Sequence, residues 1–163
     1  MTEVVESTDE QKRAHDARTS DLLSVADFEL QDLLNLAFGS EDQGDANSLG
    51  MTFVLPAGVM SGTVIAGSAW SKLVNEQLRS GGIENLAAAR EREAGIMDTL
   101  RKEVRAAHRA EGRALPPRQH IHLRDAELRS GGESFQFPTA RVSLSQVSAW
   151  QFGSWNPPAG VAS

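Results

Sequence analysis

His120 and His122 stand two residues apart in an alternating stretch, with Asp125 close behind them. On a strand the two imidazoles share one face, a spacing that can open a metal site. A third ligand at metal spacing is missing from the neighbourhood, so the pair reads as strand-edge histidines. Asp125 and Glu127 alternate on one strand face, where solvated edge carboxylates are the default reading. The run Gly62-Thr-Val-Ile-Ala-Gly67-Ser68 opens like a phosphate loop. Ala69 and Trp70 follow where Lys and Ser/Thr would have to meet the phosphates and magnesium, so its glycines read as strand bends. No Gly-x-Ser-x-Gly elbow is present. Cysteine is absent altogether, which excludes disulfides, zinc ribbons, iron–sulfur ligation and thiol nucleophiles. The chain carries no catalytic signature: it is expected not to be an enzyme and to hold no metal or cofactor.

The bulk composition agrees. The chain has 163 residues, a size that fits one domain, and sixteen Lys and Arg against twenty-two Asp and Glu give a net charge of −6. That balance argues against a general nucleic-acid binder, which needs surplus cations to displace phosphate counterions. The charge is uneven. Residues 1–49 hold twelve acids against three bases, and residues 79–118 hold nine bases against six acids. Such asymmetry favours association of the two regions, within or between molecules. No basic-then-apolar leader opens the chain, and the lack of cysteine fits a reducing compartment, so a cytoplasmic protein is expected.

The elements that must position these residues follow from the pattern. Residues 1–20 have too little apolar content to pack and are expected to form a disordered acidic arm. Over residues 24–38, Leu30, Leu33, Leu34 and Ala37 recur at helical spacing, and Gly39 stands where a helix stop belongs. Residues 40–48 read as a polar loop. Residues 46–71 carry no charge, long enough for a bilayer span. Four glycines and a proline spoil that helix and predict a hairpin instead: a strand over 51–55, a turn at Pro56-Ala57-Gly58, and a strand over 59–70. A helical stretch over 71–113 is divided at Ser80-Gly81-Gly82. Its second part carries a narrow stripe of Ile96, Leu100, Val104 and Ala107 with Met97 beside it, better suited to a surface or a partner than to a deep core. Leu115-Pro116-Pro117 ends it. Strands resume over 120–128, briefly over 135–137 before Pro138, over 141–147 and over 149–155, with Trp150, Phe152 and Trp155 in the last. Asn156-Pro157-Pro158 then opens a disordered tail over 156–163. The organisation is a single domain over 21–155 with a helical insertion at 71–113.

Five short strands with glycine-marked bends, after a helix, suggest a small, strongly bent β-barrel. The runs Met51-Thr-Phe-Val-Leu-Pro-Ala-Gly58 and Val59-Met-Ser-Gly-Thr-Val-Ile-Ala66 resemble the opening hairpin of Sm-like barrels. His122-Leu-Arg-Asp-Ala126 with residues 141–147 resembles their closing half. The fold class expected is mainly β with an α insertion, an Sm-like barrel whose halves are separated by helices. A narrower resemblance covers residues 49–71 and 119–154: Gly50–Gly67, Ile121-His-Leu-Arg-Asp-Ala126 and Leu144-Ser-Gln-Val-Ser-Ala-Trp-Gln-Phe-Gly153 are similar to the gas-vesicle accessory protein of the U type. Ser143 and Ser145 stand where that family would bring a more basic, tryptophan-bearing closing strand. The resemblance implies a non-enzymatic accessory protein that helps gas vesicles form or cluster, by self-association and contacts with gas-vesicle proteins.

The residues expected to carry such contacts are Val59, Ile65 and Trp70 on the hairpin, Trp150, Phe152 and Trp155 on the closing edge, and Arg101, Arg105 and Arg109 on the basic helix face. A homo-oligomer follows. The alternative from another class is a small nucleic-acid-binding Sm-like barrel. It is disfavoured by the closing loop Ser145-Gln146-Val147-Ser148, which offers no cation and no stacking side chain.

Overall fold

The computed structural model describes residues 27–39, 47–113 and 117–153. Among them the chain forms helix α1 (Phe28–Phe38), strands β1 (Ser48–Leu55) and β2 (Gly58–Ile65), helices α2 (Gly67–Ser80) and α3 (Glu84–Ala110), then β3 (His120–Ser130), β4 (Glu133–Ser143), a 3-10 turn (Leu144–Gln146) and β5 (Ala149–Phe152). The expected arm over 1–20, the start of the first helix, the prolines that end the insertion, Trp155 and the tail all contain residues outside the described set.

α1 begins where Asp27 accepts the Leu30 N–H on its side chain (3.1 Å), satisfying one orphan donor of the first turn. It ends at Gly39, whose φ of +70 suits glycine. Leu30, Leu34 and Phe38, at i, i+4 and i+8, form its buried face. The hairpin pairs Val54 with Val59 and Leu55 with Gly58. Gly58 holds φ +138, and a Cβ there would lie 2.2 Å from the Arg129 carbonyl oxygen, so only glycine fits the turn.

The five strands are all antiparallel, in the order β4-β3-β2-β1-β5. The closed barrel expected from the sequence is corrected here: β4 pairs with β3 and β5 with β1, and the sheet is open between its two outer strands. Closure needs a ladder between β4 and β5, and among the described residues each of these two strands forms one ladder.

The expectation of a strand over 59–70 is also corrected. β2 ends at Ile65, and Trp70 lies in the first turn of α2, its N–H bonded to the Ala66 carbonyl (3.0 Å). The β-branched run stops at Ile65, and the helix formers that follow, Lys72, Leu73 and Glu76 to Arg79, favour helix once His122 covers Trp70. Pro138 does not break β4, which runs on to Ser143. As an outer strand, β4 tolerates a residue without an N–H. Opposite Pro138 is Asp125, a non-glycine residue at φ +51, and between Ser61 and Thr63 the β2–β3 register slips by one. This bulge moves the buried set of β3 from Ile121 and Leu123 to Ala126. Asp125 and Glu127 therefore do not form the simple alternating pair the sequence suggests.

Register places Phe53, Met60 and Leu128 in one cross-strand row; in the next Met51 pairs with Gly62, which lies at the bulge so close to Ala126 that a Cβ on it would come within 3.1 Å of the alanine Cα. Phe53, Met51 and Ala126 are fully buried, and this face packs against Leu30, Leu34 and Phe38 of α1. Leu144 and Val147 close the core from the turn before β5. The other face carries α2, through Trp70 against His122 and Thr139 donating to Gln77 (3.2 Å). No helix among the described residues is long and apolar enough to cross a membrane.

Candidate interaction surfaces

The groups with chemical potential are spent on one another. Arg141 Nη2 lies 3.1 Å from His120 Nδ1. Burial, with help from that guanidinium, holds the His120 imidazole below its ordinary 6.5. His122 stacks on Trp70 with ring centroids 4.9 Å apart, and the Arg90 guanidinium lies 5.8 Å from the indole centroid. Asp125 points to solvent, its side chain 82% exposed. Glu127 accepts from Arg129 Nε and Ser134 Oγ at 2.6 Å each. Those bonds, the arginine's first, hold its carboxyl at about 2. Among the described residues no three His, Asp or Glu side chains gather as a metal site. Residues 62–65, the start of the phosphate-loop lookalike, are strand, paired with β1 throughout and with β3 over 63–65. A groove beside α2 brings Lys72, Glu76 and Arg124 to its rim, a mixed-charge lining without a convergent polar set. In the closing loop, Ser148 donates through both its N–H (2.9 Å) and its hydroxyl (3.0 Å) to the Val54 carbonyl, which fastens the turn to β1.

The two outer strands offer a different kind of surface. The apolar face of the sheet does not stop at the core. Pairing of Phe53 with Trp150 and of Leu128 with Phe135 extends the first row to both edges, giving Trp150–Phe53–Met60–Leu128–Phe135. Pairing of Met51 with Phe152 and of Ala126 with Phe137 does the same for the second. Each edge thus ends in two aromatic rings on one face. Phe152 is 59% exposed, Phe135 46% and Phe137 39%. Trp150 is half-buried and meets Phe152 edge-on at 5.8 Å, while its indole N–H donates to Asp27 Oδ2 (2.5 Å). The same aspartate therefore caps α1 and ties β5 to it.

The expected contact residues are not brought together. Ile65 is 6% exposed beside α2, Val59 is half-buried in the sheet, and Trp70 is half-buried against His122. Trp150 and Phe152 lie on the β5 edge, and Trp155 is outside the described residues. Arg101, Arg105 and Arg109 stand on the second half of α3. Phe135 and Phe137 were not singled out by sequence reasoning. Their signal was the i, i+2 spacing of two phenylalanines in a segment that Pro138 made look too short to matter.

A gas-vesicle family is suggested by the hairpin and closing strands, and the match of a whole family profile decides it: the family described as "Gas vesicle protein GvpU-like" matches residues 30–155. The chain belongs to the GvpU-like gas vesicle protein family. That match runs from the first core leucine of α1 to just past β5, so the sheet, both helices of the insertion and both aromatic edges are GvpU-like sequence. No curated protein and no solved structure matches the chain.

Proposed function

We propose that this GvpU-like chain is a non-catalytic, cytoplasmic accessory protein of gas-vesicle formation or clustering that acts by joining copies of itself edge to edge. The observation that carries this is the apolar face running unbroken across five strands and ending in two exposed aromatics on each side. An outer strand presents a row of unpaired N–H and C=O groups that template another strand. Natural sheets blunt such edges with lysine, proline or a bulge: β5 has none of these, and in β4 Pro138 interrupts the edge while residues 133–137 before it are free of lysine and proline. Addition of β4 of one copy to β5 of the next would stack Phe135 and Phe137 near Trp150 and Phe152 and continue both rows. The contact is heterologous, so it leaves a free edge at each end for a ring or a growing chain. In the same reading gas-vesicle proteins are the partners gathered by the assembly.

Light scattering across protein concentration tests it. The wild-type chain should grow in mass with concentration, and Phe137→Lys with Phe152→Lys should hold it at monomer mass with an unchanged circular dichroism spectrum. A wild-type chain that stays monomeric at every concentration, or a double variant that assembles like wild type, overturns the reading.

A further inference from the structure

α3 is longer than the neighbour that supports it. It has 27 residues against 14 in α2, about 40 Å against about 21 Å at 1.5 Å rise per residue. The two run antiparallel: Arg79 near the end of α2 pairs with Glu84 and Glu91, and Arg90 reaches Asn75 and lies over Trp70 in the first turn of α2. Beyond Arg90, α2 soon ends, and roughly 20 Å of α3 extends past it. Ala87 is the one buried residue of α3 among the described residues. On the free half, Ile96 is 62% exposed, Met97 42%, Leu100 47% and Val104 48%. Arg101, Arg105 and Arg109, four residues apart, form a row along one flank of that stripe. An isolated helix that leaves its apolar stripe in water is poorly supported, so this half calls for a partner that is apolar in the middle and acidic on one side.

The molecule itself presents such a surface. On α1, Phe28 is 45% exposed and Leu36 87%, opposite the buried Leu30, Leu34 and Phe38. Glu29 and Asp32 are exposed in the same arc of about 100°, and α1 contains no base. An antiparallel α3–α3 pair does not meet the demand. Antiparallel helices related by a two-fold axis bring like flanks together, which would set the arginine row against its own copy.

We propose that the free half of α3 docks on the outward face of α1 in a second copy of this chain, seating Leu100 and Val104 against Phe28 and Leu36 with Arg101, Arg105 and Arg109 facing Glu29 and Asp32. This rests on the self-association reading above but uses a different surface. α1 and the α2–α3 pair are carried on opposite faces of the sheet, and both faces stay exposed within one molecule. A second heterologous contact per copy strengthens an assembly through effective concentration rather than through its own area.

The absence of cysteine makes the test clean. Leu36→Cys and Val104→Cys are placed in separately purified chains, mixed, and oxidised. The expected product is the mixed 36–104 dimer, in excess over 36–36 and 104–104. Adding Arg101→Glu, Arg105→Glu and Arg109→Glu should lower its yield roughly tenfold, and Glu29→Arg with Asp32→Arg in the other chain should restore it. A dominant 104–104 product, or an internal 36–104 bond without dimer in the chain carrying both cysteines, overturns the proposal. So does a chain that self-associates by light scattering yet yields no mixed product, an outcome that leaves the edge reading standing. A mixed product that persists in Phe137→Lys with Phe152→Lys, in chains whose assembly mass is also unchanged, supports the helix contact and overturns the edge reading alone.

Discussion

The sheet and the distal half of α3 are made of similar apolar residues put to opposite ends. Along β1 and β2, Met51, Phe53, Met60 and Val64 are at most 8% exposed, locked between neighbouring strands and α1. Along α3, Ile96, Leu100 and Val104 recur just as regularly and are half in water. Periodicity therefore reports that a face is apolar, and only the neighbours decide whether that face is core or contact surface.

Substitutions should separate the two regions sharply. Phe53→Ala empties a fully buried site and should cost about 3–5 kcal/mol in chemical denaturation. Gly58→Ala comes next: its Cβ would meet the Arg129 carbonyl at 2.2 Å in a backbone region closed to alanine, for a loss of about 1–3 kcal/mol in the same assay. Asp27→Ala removes the cap of α1 and the acceptor of Trp150 together, about 1–2 kcal/mol, with a red shift or quench of tryptophan emission as the second readout. Acid acts more gently and on one cluster. The folded protein holds Glu127 at about 2 against an ordinary 4.5, so its ionised form is favoured by folding. That contribution is complete above pH 4.5 and is lost as pH falls toward 2, and melting curves of Glu127→Gln should fall less steeply with acid than those of wild type. Leu100→Ala in dilute protein should change stability by no more than about 0.5 kcal/mol, because within one chain the side chain is half in water and its truncation empties no packed site. A large loss in dilute protein, where copies are apart, would mean that α3 is already covered within one chain, and the contrast between the regions would fail.

Much of this architecture was legible in the residues. The spacing of Leu30, Leu33 and Leu34 with Gly39 behind them marked α1, and Pro56-Ala57-Gly58 between β-branched runs marked the hairpin, because each signal is local and has a steric cause. Asp98 and Lys102 stand four apart in the helical stretch, the spacing of a helical ion pair, and the structure closes that pair at 2.8 Å. What failed was non-local. Trp70 follows a strand without a break in polarity, and its helical state depends on His122 and Arg90 arriving from elsewhere in the chain. The bulge at Asp125 has no sequence flag, since an aspartate at positive φ is compatible with an ordinary turn or strand end until the partner register is known. Barrel closure was inferred from bends, and bends do not specify which outer strands meet. The aromatic edges divided along the same line. Trp150 and Phe152 stood out as a cluster, whereas Phe135 and Phe137 gained meaning only when the register aligned them with Leu128 and Ala126.

The helical pair interrupts what is, in connectivity, a simple β2–β3 hairpin, with Ile65 and His122 still paired at its mouth. Closing a loop costs entropy that grows only with the logarithm of its length, so replacing a tight turn by roughly fifty residues costs about 2 kcal/mol. The sheet can thus carry an appendage of almost any length between those two strands. Its helices are free to be lengthened, shortened or exchanged by insertion and deletion while the ladder beneath them keeps its register.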